Sequence, residues 1–461
     1  MPSSPLLITS VATAVALLLW QNRRIHHDPI TTPKVIPGAL TLFGHYFALS
    51  KNPRLFLDQA KASCGPIFQI QLPMLSGYVV TGPYVAEVLR SSRKDFSFKD
   101  GIETIVPLGR ATEISYGHIY RGEGELNPRD KNPAFDFELN LAPGESKQVP
   151  VWPILTRMIS RITCLCFAGR TVTEVPGFVE SMASFTRKII IAGTFLALLP
   201  RWLGDRVVRR FLSLEHEIDL ILTHFTPRLE GHLAQTNAAE DEMTYGAWLL
   251  ALPKHDGTFR TPRESAYQFK DVVLASIHTT SHFLTFALHE LACRPALVQA
   301  LRDEIGPAEF SPLTINTLPL LDSFLREVLR CDVDYLGLHH KAMRDVVMSN
   351  GQCIPKGTLV FLALDDANRV DNDVFDPYRF VNMDLEQKSA TLTQDFMTFG
   401  AGPHACPGRH FAIMEIKYNI AKFVTRYNIK STQPNGIRAP DSLVMGMTRN
   451  PPQDPILFEG R

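Results

Sequence analysis

The chain carries no net charge: 47 Lys+Arg stand against 47 Asp+Glu, and charged residues make up only 20% of 461. A nucleic-acid-binding protein needs a basic face to neutralise phosphates, and this composition supplies none. No Cys-x-x-Cys pair occurs among the seven cysteines. That removes a zinc ribbon, and the odd count argues against a closed disulfide framework. A glycine-rich dinucleotide fingerprint is also missing, which argues against a dinucleotide-binding domain. There is no internal repeat and no low-complexity tract, which excludes a solenoid. What the chain does have is 45% hydrophobic residues and 28 Phe, enough for a large packed core.

One uncharged apolar run stands out, Pro5 to Trp20, followed by Arg23 and Arg24. As a helix its residues rise about 24 Å, slightly less than the roughly 30 Å of bilayer hydrocarbon. No small-residue cleavage site follows Trp20, so residues 1–24 read as an uncleaved membrane anchor. The two arginines then place the body on the cytosolic side. Residues 25–38, with Pro33 and Pro37, read as a stiff hinge. Residues 39–461 read as a single large domain, mainly α with a small β region.

Within that body, helical spacing covers Asn52 to Ala62, Trp152 to Phe167, Arg206 to Glu230, Glu264 to Cys293, Ala296 to Ile305, Leu320 to Arg330 and Phe411 to Tyr427. Alternation predicts strands at Ile67–Leu72 and Gly77–Thr81, with short ones around Asp345–Met348 and Thr358–Leu362. The eleven-residue run Ile189–Leu199 suits a buried helix or an interfacial segment. From Arg121 to Pro150, prolines at 128, 133, 143 and 150 break up any long helix.

Six cysteines sit in ordinary apolar or strand surroundings. Cys406 does not: it lies in Phe399-Gly400-Ala401-Gly402-Pro403-His404-Ala405-Cys406-Pro407-Gly408-Arg409, just before a helical run. The glycines allow tight turns and close backbone approach to something flat. Amides at the head of the following helix favour a thiolate. Phe399 offers an aromatic shield, and His404 a polar or cationic contact for an acidic group.

Phe399-x-x-Gly402-x-His404-x-Cys406-x-Gly408 resembles the haem-binding signature of the cytochrome P-450 (haem-thiolate monooxygenase) family. Two further motifs fall in the family's order. Glu327-Val328-Leu329-Arg330 is similar to its Glu-x-x-Arg helix, and Asp376-Pro377-Tyr378-Arg379-Phe380 to the segment that supplies a second arginine. Ala275-Ser276-Ile277-His278-Thr279-Thr280 is similar to its oxygen-activating helix, with Ser276 in place of glycine and His278 in place of the acid. This variant resembles fungal members of the ent-kaurene-oxidase-like group, which oxidise terpenoids.

The resemblance implies the cytochrome P-450 fold and haem b, with Cys406 as the axial ligand of iron. It implies a cradle of Phe399, Gly402 and Gly408, a propionate contact from His404, and a bracing network of Glu327, Arg330 and Arg379. Thr279 would help deliver protons to oxygen, with His278 as a relay. The implied partners are O2, an NADPH-cytochrome P-450 reductase, an endoplasmic-reticulum membrane and a lipophilic small molecule. The family's helix carrying Trp and Arg for a propionate has no evident counterpart between Tyr116 and Pro150. That leaves His118 and Arg121 as the candidates there. Substrate contacts are expected from the loop Ile102–Tyr116, the run Ile189–Leu199, and from Val273, Ile277, Tyr335, Leu336 and Val444. Core packing is the plain alternative for each. Two other functions stay open: a haem-thiolate isomerase or peroxide-using enzyme, and a non-catalytic haem-binding homologue.

Overall fold

A computed structural model describes residues 32–40, 43–73, 75–116, 139, 141–234, 244–254, 256–307, 310–369, 374–383 and 388–461. The expected anchor, most of the hinge, and the candidates His118 and Arg121 lie outside the described residues.

Proline punctuates this chain at helix starts. Its missing N–H costs nothing in a first turn, and its fixed φ already suits a helix. Pro53 opens α1 (Pro53–Cys64), Pro83 opens α2 (Pro83–Arg90), and two helices follow as α3 (Phe98–Ile105) and α4 (Leu108–Tyr116). The segment expected as a loop at Ile102–Tyr116 is therefore helical. Ser97 caps α3 at the Asp100 amide, and Glu103 accepts from the Gly109 and Arg110 amides at the head of α4.

Next come α5 (Val151–Phe167), α6 (Phe178–Leu198), α7 (Arg201–Phe211) and α8 (Glu215–Ala234). The single helix expected over Arg206–Glu230 is thus two. The Ser213 hydroxyl accepts from the Glu215 amide at 3.3 Å and restarts the chain after the break. By length and composition α6 suffices to cross a membrane. It nevertheless buries Phe178, Phe185, Ile189, Ala192 and Leu196 in the main core, as a core helix does.

The longest helix is α9 (Pro262–Ala292). Thr261 accepts from the Glu264 amide at 3.2 Å, while Glu264 returns to the Thr261 amide at 2.7 Å, a reciprocal cap that fixes its start. Helices α10 (Pro295–Ile305), α11 (Pro319–Cys331), the short α12 (Leu364–Ala367) and α13 (Arg409–Arg426) complete the set used below. Packed around α9, these helices enclose the larger apolar cluster.

The β part is a six-stranded sheet of β1 (Lys34–Val35), β2 (Ile67–Leu72), β3 (Leu75–Val80), β4 (Phe96–Ser97), β6 (Gly337–Ala342) and β9 (Leu359–Leu362). Their order is β1-β2-β3-β9-β6-β4. The hairpin β2–β3 pairs Ile67 with Val80, and β3 runs parallel to β9 through Val79 and Phe361. A smaller sheet joins β5 (Ser146–Val149), β10 (Tyr427–Ser431) and β13 (Ile456–Gly460), so a strand near residue 148 is held by the C-terminal segment. The strand expected around Asp345–Met348 is β7 (Val346–Val347), paired antiparallel with β8 (Cys353–Ile354). Alternation does not mark β5, β6, β10 and β13. The mainly α architecture with a small β region is the expected fold.

Candidate functional site

The Cys406 loop turns tightly. Its amide donates to the Phe399 carbonyl at 2.7 Å, closing the loop on the aromatic residue seven positions earlier. Gly400 sits at φ +72, where a Cβ would fall 2.4 Å from the His404 carbonyl oxygen, so any side chain there both strains and collides. Gly402 at φ +53 lies against α2, its Cβ position 3.1 Å from Arg90 Cα. A Cβ on Gly408, by contrast, meets no protein atom within 4 Å. Burial holds the Cys406 thiol above its ordinary range, outweighing the backbone hydrogen bonds from Gly408 and Arg409 and the Arg409 charge, which pull it down.

The structure brings Glu327, Arg330 and Arg379 together. Arg330 Nε and Nη2 donate to the two Glu327 oxygens at 2.8 and 2.7 Å, and Arg379 Nε reaches both at 3.2 Å. The Asp376 amide adds a fourth donor at 2.9 Å. Burial pushes the Glu327 carboxyl up, but these donors and charges together hold it below the ordinary glutamate range.

The link from this cluster to the cysteine loop is Asn368, which the sequence analysis did not single out. Arg330 Nη1 donates to the Asn368 carbonyl at 3.4 Å. The Asn368 side chain accepts from the Met397 amide at 2.7 Å and donates to Thr398 Oγ1 at 2.9 Å. Thr398 Oγ1 in turn donates to the Leu329 carbonyl on α11. A lone Asn after a four-residue helix carries no periodicity signal. Only the fold brings it to the start of the loop.

On α9, Thr279 and Ala275 are exposed while Val273, Ile277 and Thr280 are buried. Spacing of four puts Thr279 and Ala275 on one stripe. The Thr279 hydroxyl donates to the Ala275 carbonyl at 2.6 Å. His278 faces elsewhere: its ring meets Trp152 of α5 edge-on at 5.5 Å and lies 6.0 Å from His282. Burial lowers His278, and burial followed by the His278 charge drives His282 down to about 3, so both imidazoles are neutral at physiological pH. Ser276, in the glycine position, shares a hydrogen bond with Thr163 of α5 at 2.9 Å. No described hydrogen bond joins His278 to Thr279, which corrects the expectation of adjacent relay groups.

Several expected substrate contacts are also relocated. Val273 and Ile277 are fully buried in the main core, on the face of α9 away from Thr279. Leu336 is buried beneath the large sheet, and Tyr335 lies under the Arg449 guanidinium at 4.2 Å. Val444 is exposed in the hairpin of β11 (Ser442–Val444) and β12 (Thr448–Asn450). Core packing accounts for Val273, Ile277 and Leu336.

A family model for cytochrome P450 matches residues 144–458, more than half of the chain. The chain belongs to the cytochrome P450 family. This P450 is 26% identical to cytochrome P450 monooxygenase 71 of Postia placenta over 495 aligned positions, spanning 98% of this chain and 97% of that one. It is also 26% identical to cytochrome P450 monooxygenase janP of Penicillium janthinellum, over 73% of this chain and 69% of the relative. Its fold matches the retinoic acid bound cyanobacterial CYP120A1 with a TM-score of 0.63 at 17% identity, covering 94% of this chain and 100% of the other. The P450 is therefore an oxidoreductase of the monooxygenase type, and its cofactor is haem with a cysteine thiolate as axial ligand.

The described residues fit that cofactor. The Nε2 atoms of His404 and His340 are buried without hydrogen-bond partners, and their rings lie 4.7 Å apart; an anionic group beside them, such as a haem carboxylate, would favour the protonated imidazoles, whose Nε2–H groups then donate to it. His340 Nδ1 is occupied by the Leu338 carbonyl, and His404 keeps a backbone hydrogen bond at Ser91. His340 escaped the sequence analysis because strand β6 itself did. The open Cβ position at Gly408 admits a flat macrocycle against the backbone.

Proposed function

We propose that this P450 is a membrane-anchored monooxygenase in which Cys406 is the axial haem ligand. The carrying observation is the Cys406 sulfur, met by the Gly408 and Arg409 backbone in a loop that Glu327, Arg330 and Asn368 brace. Haem bound there supplies O2 activation and the insertion of one oxygen atom into a C–H or C=C bond.

The chain's own residues perform the rest. Phe399 and the glycine turns hold the sulfur away from bulk water, and His404 and His340 receive the carboxylates. Arg121 is the further carboxylate contact. Thr279 presents the hydroxyl of the exposed α9 stripe, and can pass a proton once its bond to the Ala275 carbonyl rotates away. His278, neutral and packed on Trp152, keeps α9 in register with α5.

The substrate is a lipophilic fungal metabolite of the terpenoid class, a reading that the Ile277-His278-Thr279-Thr280 variant and the fungal relatives support. Electrons come from an NADPH-cytochrome P450 reductase, and residues 1–24 and 25–38 anchor and space the domain 39–461 at the cytosolic face of the endoplasmic reticulum. The apolar run with its arginine flank supports this placement. A reduced carbon-monoxide difference spectrum tests the ligand: the protein gives the red-shifted thiolate band, and Cys406→Ser abolishes it. A wild-type spectrum without that band rejects the reading. NADPH consumption with a reductase and candidate diterpenes then tests the substrate class.

A further inference from the structure

Residues 388–391 form no helix or strand, yet side chains of α11 and α13 hold their polar groups. The Ser389 amide and hydroxyl donate to Asp322 at 2.9 and 2.7 Å. The Lys388 and Thr391 carbonyls accept from Arg326 Nη1 at 2.7 and 3.0 Å, with the Arg326 guanidinium 4.0 Å above the Phe396 ring. The Ala390 carbonyl accepts from Arg409 Nε at 3.2 Å. Arg409 then makes a second contact that the other side chains do not: its Nη1 donates to the Cys406 carbonyl at 2.8 Å. One planar fork thus spans the 388–391 segment and the residue that carries the sulfur.

We propose that Arg409 is a positioning residue for the Cys406 sulfur. Its fork fixes the Cys406 peptide, and its permanent charge stands beside the ligand. This rests on Cys406 being the haem ligand. A guanidinium stays ionised at every accessible pH, and its two-pronged geometry cannot be reproduced by an ammonium. A fixed cation beside the ligand favours the reduced iron, which carries one positive charge fewer, so it holds the reduction potential up.

Three variants of the full-length holoprotein separate charge from scaffolding. Arg409→Gln removes the charge, Arg409→Lys keeps the charge without the fork, and Ser389→Ala loosens 388–391 without touching Cys406. The readout is the midpoint potential of the haem iron by spectroelectrochemistry, beside haem content and the thiolate band of the carbon-monoxide complex. The expected result is a potential that falls in Arg409→Gln and holds at the wild-type value in Arg409→Lys and Ser389→Ala. A thiolate band with an unchanged potential in Arg409→Gln overturns the inference and leaves the ligand assignment standing. A wild type without that band takes down the ligand assignment instead. Should Arg409→Gln keep no haem, the other two are read first. Equal falls in Arg409→Lys and Ser389→Ala mean that the segment sets the potential and overturn the role of the charge; where they do not fall, Arg409→Met as a second neutral variant sustains the role by a lowered potential and overturns it by an unchanged one.

Discussion

Glu415 on α13 is fully buried, and neither carboxylate oxygen has a hydrogen-bond partner. Burial alone pushes its carboxyl from 4.5 up to about 8. The native protein therefore holds Glu415 protonated at neutral pH, while the unfolded chain releases that proton from about pH 4.5 upward. Because the unfolded state binds fewer protons across this window, stability falls as pH rises from 4.5 towards 8, then levels off.

The slope for one such group is about 1.4 kcal/mol per pH unit. Between pH 5.5 and 7.5 the group costs the native state about 2–3 kcal/mol. Glu415→Gln keeps the shape and removes the titration. Urea unfolding of both holoproteins, followed by far-ultraviolet circular dichroism, gives the stability difference at each pH, and all other titrating groups cancel in it. The variant should gain on the wild type by about 2–3 kcal/mol from pH 5.5 to 7.5. A difference independent of pH would refute the argument, since it would mean that Glu415 is ionised in the folded state or neutral in both.

Glu327→Gln leaves Arg330 and Arg379 facing a neutral amide. It should lower stability by about 3–5 kcal/mol with loss of haem, read by urea midpoint and haem content. Asn368→Ala cuts the link between that cluster and Met397, and should cost about 1–3 kcal/mol, visible as a lower midpoint with Glu327 and Arg330 intact. Gly400→Ala should cost at least about 1–2 kcal/mol from backbone strain, with the clash at the His404 carbonyl adding to it, and should reduce the purified holo fraction. Thr279→Ala should leave haem content and stability within error, because its described bond is to its own helix. Product formed per NADPH consumed should drop.

Local chemistry was legible where a residue type has few alternatives. Helical spacing put the starts of α1, α9, α10 and α11 within about two residues of the prolines that open them, while the Thr261–Glu264 cap became visible only in the structure. The Phe399–Gly408 loop was legible for the same reason, since glycines at positive φ and a cysteine before a helix restrict what the segment can be. The helical nature of residues 102–116 was not, nor the break at 212–214. Both depend on side chains closing on amides a few residues away, which hydrophobic spacing does not register.

The sequence by itself determined the family motifs and, to within about two residues, the spans of α1, α5, α9, α10, α11 and α13, because these are short-range properties of the chain. Tertiary structure alone decided which face of α9 each residue takes, turning Thr279 outward, His278 onto Trp152, and Val273 and Ile277 into the core. It also decided that Asn368, Arg409 and His340 meet the cysteine loop. The physical reason is that a contact between residues tens or hundreds of positions apart depends on how helices and sheet pack, and packing is a property of the whole core.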